Sequence, residues 1–168
     1  MYCYTIMLTG ADDAFLFSDT RTFADGASGT RWLLAIYFAL IKTIRMPWLL
    51  GVMTLLLYGI AAWLVCETLS ITSSVGIILV SGLMVTSPTM ISSNFYLTSA
   101  HMYAGALLFA CLAAYAYKKW RHSWIAAFVF MLLSEGSYAA YISMTLCLFF
   151  LCSLKELLFD QEANDKHN

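Results

Sequence analysis

Charge is what this sequence has least of. Only 11% of its 168 residues are charged and 61% are hydrophobic, whereas about 25% of the residues in a typical soluble domain are charged. Between positions 46 and 117 the only charged side chain is Glu67, and between positions 123 and 154 it is Glu135. Soluble helices keep a polar face toward water, which stretches of this kind cannot supply. The scarcity of charge therefore excludes an ordinary soluble domain and indicates a membrane protein.

Excess basic charge and paired cysteines are also missing. The net charge is −1, and no basic cluster is interleaved with aromatic residues, so we expect no nucleic-acid partner. The five cysteines include no Cys-x-x-Cys pair and no histidine at ligand spacing, so we interpret them as small buried hydrophobic residues. Gly-x-x-x-x-Gly-Lys, His-Glu-x-x-His and Gly-x-Ser-x-Gly motifs are likewise absent. These absences exclude the nucleotide-binding, zinc-protease and serine-hydrolase motifs.

What remains is a series of long apolar runs, which predicts an all-α fold, a multi-pass transmembrane helical bundle. About 20 apolar residues cross a bilayer as a helix. The chain is predicted to form one membrane domain over 1–159 with a polar tail at 160–168. Two polar interruptions, Ser87-Pro88 and the Ser-Glu-Gly-Ser turn at 134–137, separate neighbouring runs. The predicted membrane helices are 47–66, 71–87, 99–117, 123–134 and 138–155.

Two segments ahead of these helices have a different character. Residues 11–30 are rich in Asp, Ser, Thr and Gly and are predicted to be an external acidic loop. Residues 31–43 are apolar but too short to cross a bilayer. They predict an interfacial helix, with Trp32 and Tyr37 at headgroup depth.

The basic residues predict the topology. Lys118, Lys119 and Arg121 form the densest basic loop, which the positive-inside rule places in the cytoplasm. Counting spans from this loop puts the 67–72 turn and Lys155 on the same side. The opposite, external side then receives 11–30, 87–100, 134–137, Lys42 and Arg45. The last two cations violate the rule, which calls for a ligand or a local partner.

Three polar features are therefore expected at the external face: the aspartates Asp12 and Asp13, the cations Arg31, Lys42 and Arg45, and the turns that carry His101 and Glu135. A carboxylate there can act as a general base, and nearby cations can stabilise a leaving phosphate. Plainer roles stay open. The aspartates fit a solvated loop, the cations fit contacts with lipid headgroups, and His101 fits a structural hydrogen bond. Glu135 is either a functional carboxylate or hydrated at the rim of its turn.

Several short motifs, taken in order, resemble one family. A short apolar lead precedes Asp12-Asp13, Thr30-Arg31-Trp32 starts a helix, and Pro47 opens a span. Ser87-Pro88 follows the next span, and LLSEGSYAAYIS occupies 132–143. Over residues 5–155 this order is similar to that of the Gtr-type glucosyltransferases. These are serotype-converting enzymes that decorate bacterial surface polysaccharides, within the GT-C class of polytopic glycosyltransferases.

The resemblance implies a GT-C-like fold and transfer of a glucosyl group from a polyprenyl-phosphate sugar donor. The implied acceptor is a glycan such as O-antigen, at the outer face of the cytoplasmic membrane, and the lipid bilayer is the third partner. Asp12 or Asp13 would be the catalytic base. Arg31 matches the family's Gly-Arg-Trp start and Tyr138 matches its Tyr-Gln pair, although Thr30 and Ala139 depart from those patterns. This chemistry does not require a metal ion or a cofactor, so we expect none.

The resulting hypothesis assigns catalysis to Asp12 and Asp13. Substrate binding is assigned to Arg31, Lys42, Arg45, Glu135 and Tyr138. Members of the family are longer, so the chain is expected to be an N-terminal fragment, and it would then be an incomplete enzyme. The alternative is a non-catalytic membrane scaffold, packing partner helices on its Ala/Gly faces, or part of a transporter.

Overall fold

A computed structural model describes residues 31–33, 36–37, 47–87, 90–91, 100–119 and 124–165. Within those ranges the regular structure is helical and contains no strand, which confirms the all-α prediction there. Residues 32–33 and 36–37, inside the predicted interfacial helix, are also helical. The longer helices are α1 (Pro47–Thr68), α2 (Ser74–Val85), α3 (Ala100–Lys119), α4 (Trp124–Ser137) and α5 (Ile142–Asp165), with a 3-10 turn at Ala139–Tyr141 before α5.

Three helical segments of the described ranges are long and apolar enough to cross a membrane: Trp48–Thr68, Ala100–Lys119 and Ala139–Leu158. A 20-residue helix is about 30 Å long, which matches the hydrocarbon thickness of a bilayer. α2 and α4 are also apolar, but they have 12 and 14 residues. They are therefore about 18 and 21 Å long.

Several helix ends differ from the predicted ranges. α2 is shorter at both ends, α4 is longer, and α5 extends to Asp165, into the predicted polar tail. α2 ends at Val85, just before Ser87-Pro88, because a proline disfavours helical geometry in the residue ahead of it. α4 runs through the 134–137 stretch where a turn was predicted, and the chain reverses at Tyr138, whose backbone is extended (φ −160°). The serines cause no break because Ser134 Oγ donates to the Ala106 carbonyl at 2.9 Å and Ser137 Oγ donates to the Leu133 carbonyl at 2.9 Å.

α3 is the centre of the packing and contacts α1, α4 and α5. Its alanines, among them Ala104, Ala106 and Ala110, are fully buried. Small side chains let neighbouring helices approach closely. Two hydroxyls reinforce the packing, since Ser134 of α4 donates to Ala106 and Thr145 Oγ1 of α5 donates to the Ala110 carbonyl at 3.4 Å. The small-residue helix predicted from the sequence is thus the core of the bundle.

α2 has the opposite surroundings. It packs beside α1 and buries none of its residues. Ile78 and Leu83 are 71% and 72% exposed. An apolar helix exposed in this way is expected to face lipid.

The carboxyl end of α1 is closed by its own backbone. Ser70 has a left-handed conformation (φ 53°). Its N–H donates to the Glu67 carbonyl at 3.1 Å, and the Ile71 N–H donates to the Cys66 carbonyl at 2.8 Å. This pair of hydrogen bonds is a Schellman motif, a common way to satisfy the last carbonyls of a helix.

Lysines from two other helices complete that cap. Lys118 Nζ of α3 donates to the Thr68 carbonyl and, at 2.9 Å, to Ser70 Oγ. Lys155 Nζ of α5 donates to the Leu69 carbonyl at 2.6 Å. Cations are favourable at a helix C-terminus because they complement the helix dipole. The 67–72 turn, Lys118 and Lys155, predicted to share one side, therefore meet at one end of the bundle, which we call the lysine end.

Candidate functional site

The reversal between α4 and α5 lies at the other end of α3. Ser134, near the end of α4, contacts Ala106, near the start of α3, so the two helices are antiparallel. The Tyr138 ring at the reversal lies 4.8 Å from the Tyr103 ring of α3, centroid to centroid. Tyr103 and Lys118 are about 22 Å apart along the helix at 1.5 Å per residue. We call the end that contains Arg31, Trp32, Tyr37, His101, Tyr103 and Tyr138 the aromatic end.

Arg31 lies over an aromatic ring at this end. Its Cζ atom is 4.8 Å from the centroid of the Tyr138 ring, within the range of a cation–π interaction. Tyr138 also contacts Tyr141, with ring centroids 5.7 Å apart. In the part of the chain that the structure describes, no carboxylate pairs with Arg31. Two residues selected from separate sequence motifs are thus in direct contact.

Trp32, the next residue, packs against α4. Gly136 is buried, and a Cβ atom at its position would lie 2.7 Å from Trp32 Cζ2. Real Cβ atoms do not approach other atoms so closely, so a larger residue would displace the indole. A glycine at 136 is therefore needed for this contact between the 31–33 segment and α4.

Tyr37 connects the same segment to α3. Its hydroxyl is hydrogen-bonded to His101 Nε2, and the two ring centroids are 5.0 Å apart. Burial raises the pKa of the Tyr37 phenol, so it stays neutral and keeps its proton. His101 is only 4% exposed, and its Nδ1 has no hydrogen-bond partner among the described residues. The structural hydrogen bond considered for His101 is present.

Glu135 lies in the last turn of α4, between Ser134 and Gly136, and is half-buried. Within the described ranges it forms no ion pair. Glu135 precedes Tyr138 by three residues in the chain. Among the described residues, the structure gives no contact of Glu135 with Arg31 or with the Tyr138 ring. Its substrate-binding role stays a prediction.

The other predicted site residues lie outside the described residues. These are Asp12, Asp13, Lys42 and Arg45. Their catalytic and substrate-binding roles stay predictions. Among the helices and short segments that are described, no group of three His, Cys, Asp or Glu side chains could hold a metal ion.

Sequence reasoning missed Tyr103 at the aromatic end and Gly136, on which Trp32 packs. The sequence places Gly136 in a predicted turn, although a glycine inside an apolar helix also indicates a close approach by another group. Tyr103 carried no distinguishing signal, because an aromatic residue near the start of a span is typical of membrane helices. Both become visible only through contacts between distant segments.

The arrangement favours binding of an anion at a membrane boundary. An arginine offers five N–H donors in a planar fork that matches phosphate oxygens, and it stacks on aromatic rings while doing so. A guanidinium whose carbon atom lies over an aromatic ring can still use its N–H donors for hydrogen bonds. The aromatic end therefore has a cation that contacts an aromatic ring and is not neutralised by the described residues.

Comparison with known proteins adds the family. A family model described as glucosyl transferase GtrII matches residues 2–166. The match covers the aromatic end, the lysine end and the acidic segment at 11–30. No curated protein and no solved structure matches the chain.

Proposed function

Because the chain belongs to the glucosyl transferase GtrII family, we propose that it transfers a glucosyl group from a polyprenyl-phosphate sugar to a surface polysaccharide such as O-antigen. The proposed location is the outer face of the cytoplasmic membrane. Glycosyl transfer in general follows from the family, and the three apolar spans agree with a membrane protein. The donor, the acceptor and the membrane face are our proposal.

The observation that carries this proposal is Arg31 on the face of Tyr138. A lipid-linked sugar phosphate keeps its hydrocarbon chain in the bilayer and its phosphate at the boundary with water. Its site therefore needs a cation at the end of a helical bundle rather than along its middle. Arg31 has this position, at the opposite end of α3 from Lys118.

Exposed aromatic residues support a boundary at each end. α1 runs parallel to α3, since Thr68 meets Lys118, so the exposed Trp48 at the start of α1 lies toward the aromatic end. Trp124 and Tyr117 are exposed toward the lysine end. Tryptophan and tyrosine are enriched at both membrane–water interfaces. The Arg31 guanidinium is thus expected at headgroup depth.

The proposed chemistry uses a base and a cation cluster. The oxygen of an acceptor hydroxyl forms a bond to the anomeric carbon of glucose, and Asp12 or Asp13 accepts the proton of that hydroxyl. The bond from that carbon to the phosphate oxygen breaks, and its electron pair leaves with the polyprenyl phosphate. Arg31, Lys42 and Arg45 stabilise the charge on the departing phosphate.

Two further residues complete the proposed donor site. Tyr138 supports the Arg31 guanidinium through its ring. Glu135, one turn earlier and half-buried, accepts a hydrogen bond from a glucose hydroxyl. A carboxylate within a membrane helix is costly, and such residues commonly have a functional role.

The test measures transfer of labelled glucose from polyprenyl-phosphate glucose to endogenous glycan in membranes that carry this chain. The Asp12→Asn/Asp13→Asn variant should lose transfer while its amount in the membrane stays equal, because an amide cannot act as the base. The matched control is Asp19→Asn/Asp25→Asn, which makes the same change of charge in the same segment and should keep transfer. Undiminished transfer by the first variant would remove the base assignment.

The scaffold alternative is less favoured by the packing. It would need the small-residue face of the predicted 99–117 helix to receive another chain's helices. In this bundle Ala104, Ala110 and Ala113 are instead fully buried against helices of the same chain.

A further inference from the structure

We infer that the hydrogen bond between Tyr37 and His101 is a positioning device, which holds Arg31 over Tyr138 for the phosphate of the lipid-linked donor. The inference rests on the proposed function, because it assigns a supporting role within that donor site. His101 and Tyr37 touch neither sugar nor phosphate in this scheme. They act through Arg31 and are positioning residues.

The first argument is that the chain around Arg31 is held at two separate residues, Trp32 and Tyr37. Trp32 packs on Gly136 of α4, and Tyr37 is hydrogen-bonded to His101 of α3. A single contact would leave this part of the chain free to pivot, whereas contacts of Trp32 and Tyr37 with two different helices fix the positions of both residues. Arg31 is next to Trp32 in the chain, so fixing Trp32 also restricts the backbone position of Arg31.

The second argument comes from the chemistry of the Tyr37–His101 pair. His101 is buried, and its Nδ1 lacks a hydrogen-bond partner within the described ranges. Leaving a buried polar atom unpaired costs stability, so packing alone would be served better by two apolar residues. A polar pair contributes direction instead, since the Tyr37 hydroxyl oxygen and His101 Nε2 must be aligned with the hydrogen that they share. This favours a role in geometry.

The third argument concerns Arg31 itself. A cation over a ring is attracted across a broad area of the ring face, so contact with Tyr138 leaves the direction of the guanidinium edge loosely defined. Binding of a phosphate by two parallel N–H donors requires a defined edge. The backbone that carries Arg31 must therefore be oriented by something else. Tyr37 and His101 supply that orientation.

The experiment compares two lipids that differ in one group, a polyprenyl monophosphate and the neutral polyprenol of the same length. Dissociation constants are measured for the full chain in lipid nanodiscs. The ratio of the polyprenol Kd to the monophosphate Kd measures how strongly the phosphate itself is recognised. A purely structural disturbance would change both constants together, so this ratio isolates the positioning of Arg31.

Three variants and one double variant complete the design. Arg31→Gln removes the cation, and Tyr37→Phe removes only the hydroxyl that meets His101. Tyr115→Phe is the matched control, because the Tyr115 hydroxyl accepts a hydrogen bond from Lys119 toward the lysine end. Tyr37→Phe should lower the ratio about tenfold, as expected for the loss of a well-placed charged hydrogen bond. The polyprenol Kd should stay unchanged, and so should both constants of Tyr115→Phe.

The double variant Arg31→Gln/Tyr37→Phe should show the same ratio as Arg31→Gln alone, because Tyr37 acts only through Arg31. A ratio that falls in Arg31→Gln but not in Tyr37→Phe would overturn this inference and leave the donor site intact. A further fall in the double variant would overturn it as well, because Tyr37 would then act independently. An unchanged ratio in Arg31→Gln would overturn the proposed donor site and this inference with it.

Discussion

The two ends of the bundle use their cations differently. At the lysine end, Lys118 donates to the last carbonyl of α1, at Thr68, and Lys155 donates to the Leu69 carbonyl in the turn that follows, so both lysines bond to the backbone of the chain. At the aromatic end, Arg31 lies on the face of Tyr138, and no carboxylate or carbonyl among the described residues is its partner. The first arrangement is complete without a ligand. The second leaves the N–H donors of Arg31 without a partner among the described residues, so they can bind a ligand.

The types of residue agree with this division. A lysine carries a compact charge on a flexible stem, which suits the capping of carbonyls at a helix end. An arginine carries a planar fork of donors, which suits phosphate. Each end has a cation over an aromatic ring, Arg31 over Tyr138 and Lys119 over Tyr115, but only Lys119 also donates a hydrogen bond to the tyrosine hydroxyl. The comparison predicts that changes at the lysine end alter stability and that changes at the aromatic end alter ligand binding.

The largest expected effect comes from removing both lysines of the cap. Lys118→Met/Lys155→Met leaves the α1 carbonyls without their charged donors, at a cost of about 3 kcal/mol for two such hydrogen bonds. Thermal unfolding in detergent measures the loss. The control Lys119→Met removes a lysine that is bonded to Tyr115 rather than to α1 and should unfold at a temperature close to that of the parent. A raised Kd for polyprenyl monophosphate in the folded double variant would contradict the proposed division, in which the lysine end serves stability and the aromatic end serves ligand binding.

The second largest effect is expected from a change beside Trp32 at the aromatic end. Gly136→Ala places a methyl group against the Trp32 indole, and overpacking of this kind costs about 1–3 kcal/mol. Displacing Trp32 also displaces Arg31, so the Kd for polyprenyl monophosphate should rise more than the Kd for polyprenol. Gly59→Ala is the control, since nothing lies within 4 Å of the added Cβ. Equal behaviour of the two variants would show that the Trp32 contact does not orient Arg31.

The smallest effect concerns Ser70, which has a left-handed backbone at the lysine end. Ser70→Gly removes the steric cost of that conformation, whereas Ser70→Ala keeps the cost, and both lose the hydrogen bond from Lys118. The glycine variant should therefore be more stable than the alanine variant by about 1 kcal/mol. Urea-induced unfolding of the two variants provides the comparison. An alanine variant as stable as the glycine variant would contradict the left-handed cap.

Much of the fold could be predicted because it depends on local pattern. Apolar runs of spanning length predict helices where α1, α3 and α5 lie, and the alanines of α3 predict its central packing. The extension of α4 to Ser137 could not be predicted. It depends on a carbonyl of Ala106 in another helix, which satisfies the Ser134 hydroxyl. Contacts of that kind have no trace in the local pattern.

The candidate site likewise has residues that the sequence predicts and contacts that it does not. Arg31 and Tyr138 could be selected from the sequence because each belongs to a motif of the family, but their contact joins distant parts of the chain. Gly136 and the Tyr37–His101 pair depend on where the 31–37 segment lies, which no periodicity encodes. The roles of Asp12, Asp13, Lys42 and Arg45 remain predictions from the sequence.

The cap at the lysine end also has a consequence for biosynthesis. Lys155 is 86 residues downstream of the Leu69 carbonyl that it meets. At a translation rate of about 5–20 residues per second, the ribosome needs roughly 4 to 17 s to make the intervening chain. During that interval α1 is complete, but the Leu69 carbonyl just after it still lacks its donor. The carboxyl end of α1, the first of the five described helices in the chain, is therefore capped in full only after α5, the last of the five, has been synthesised.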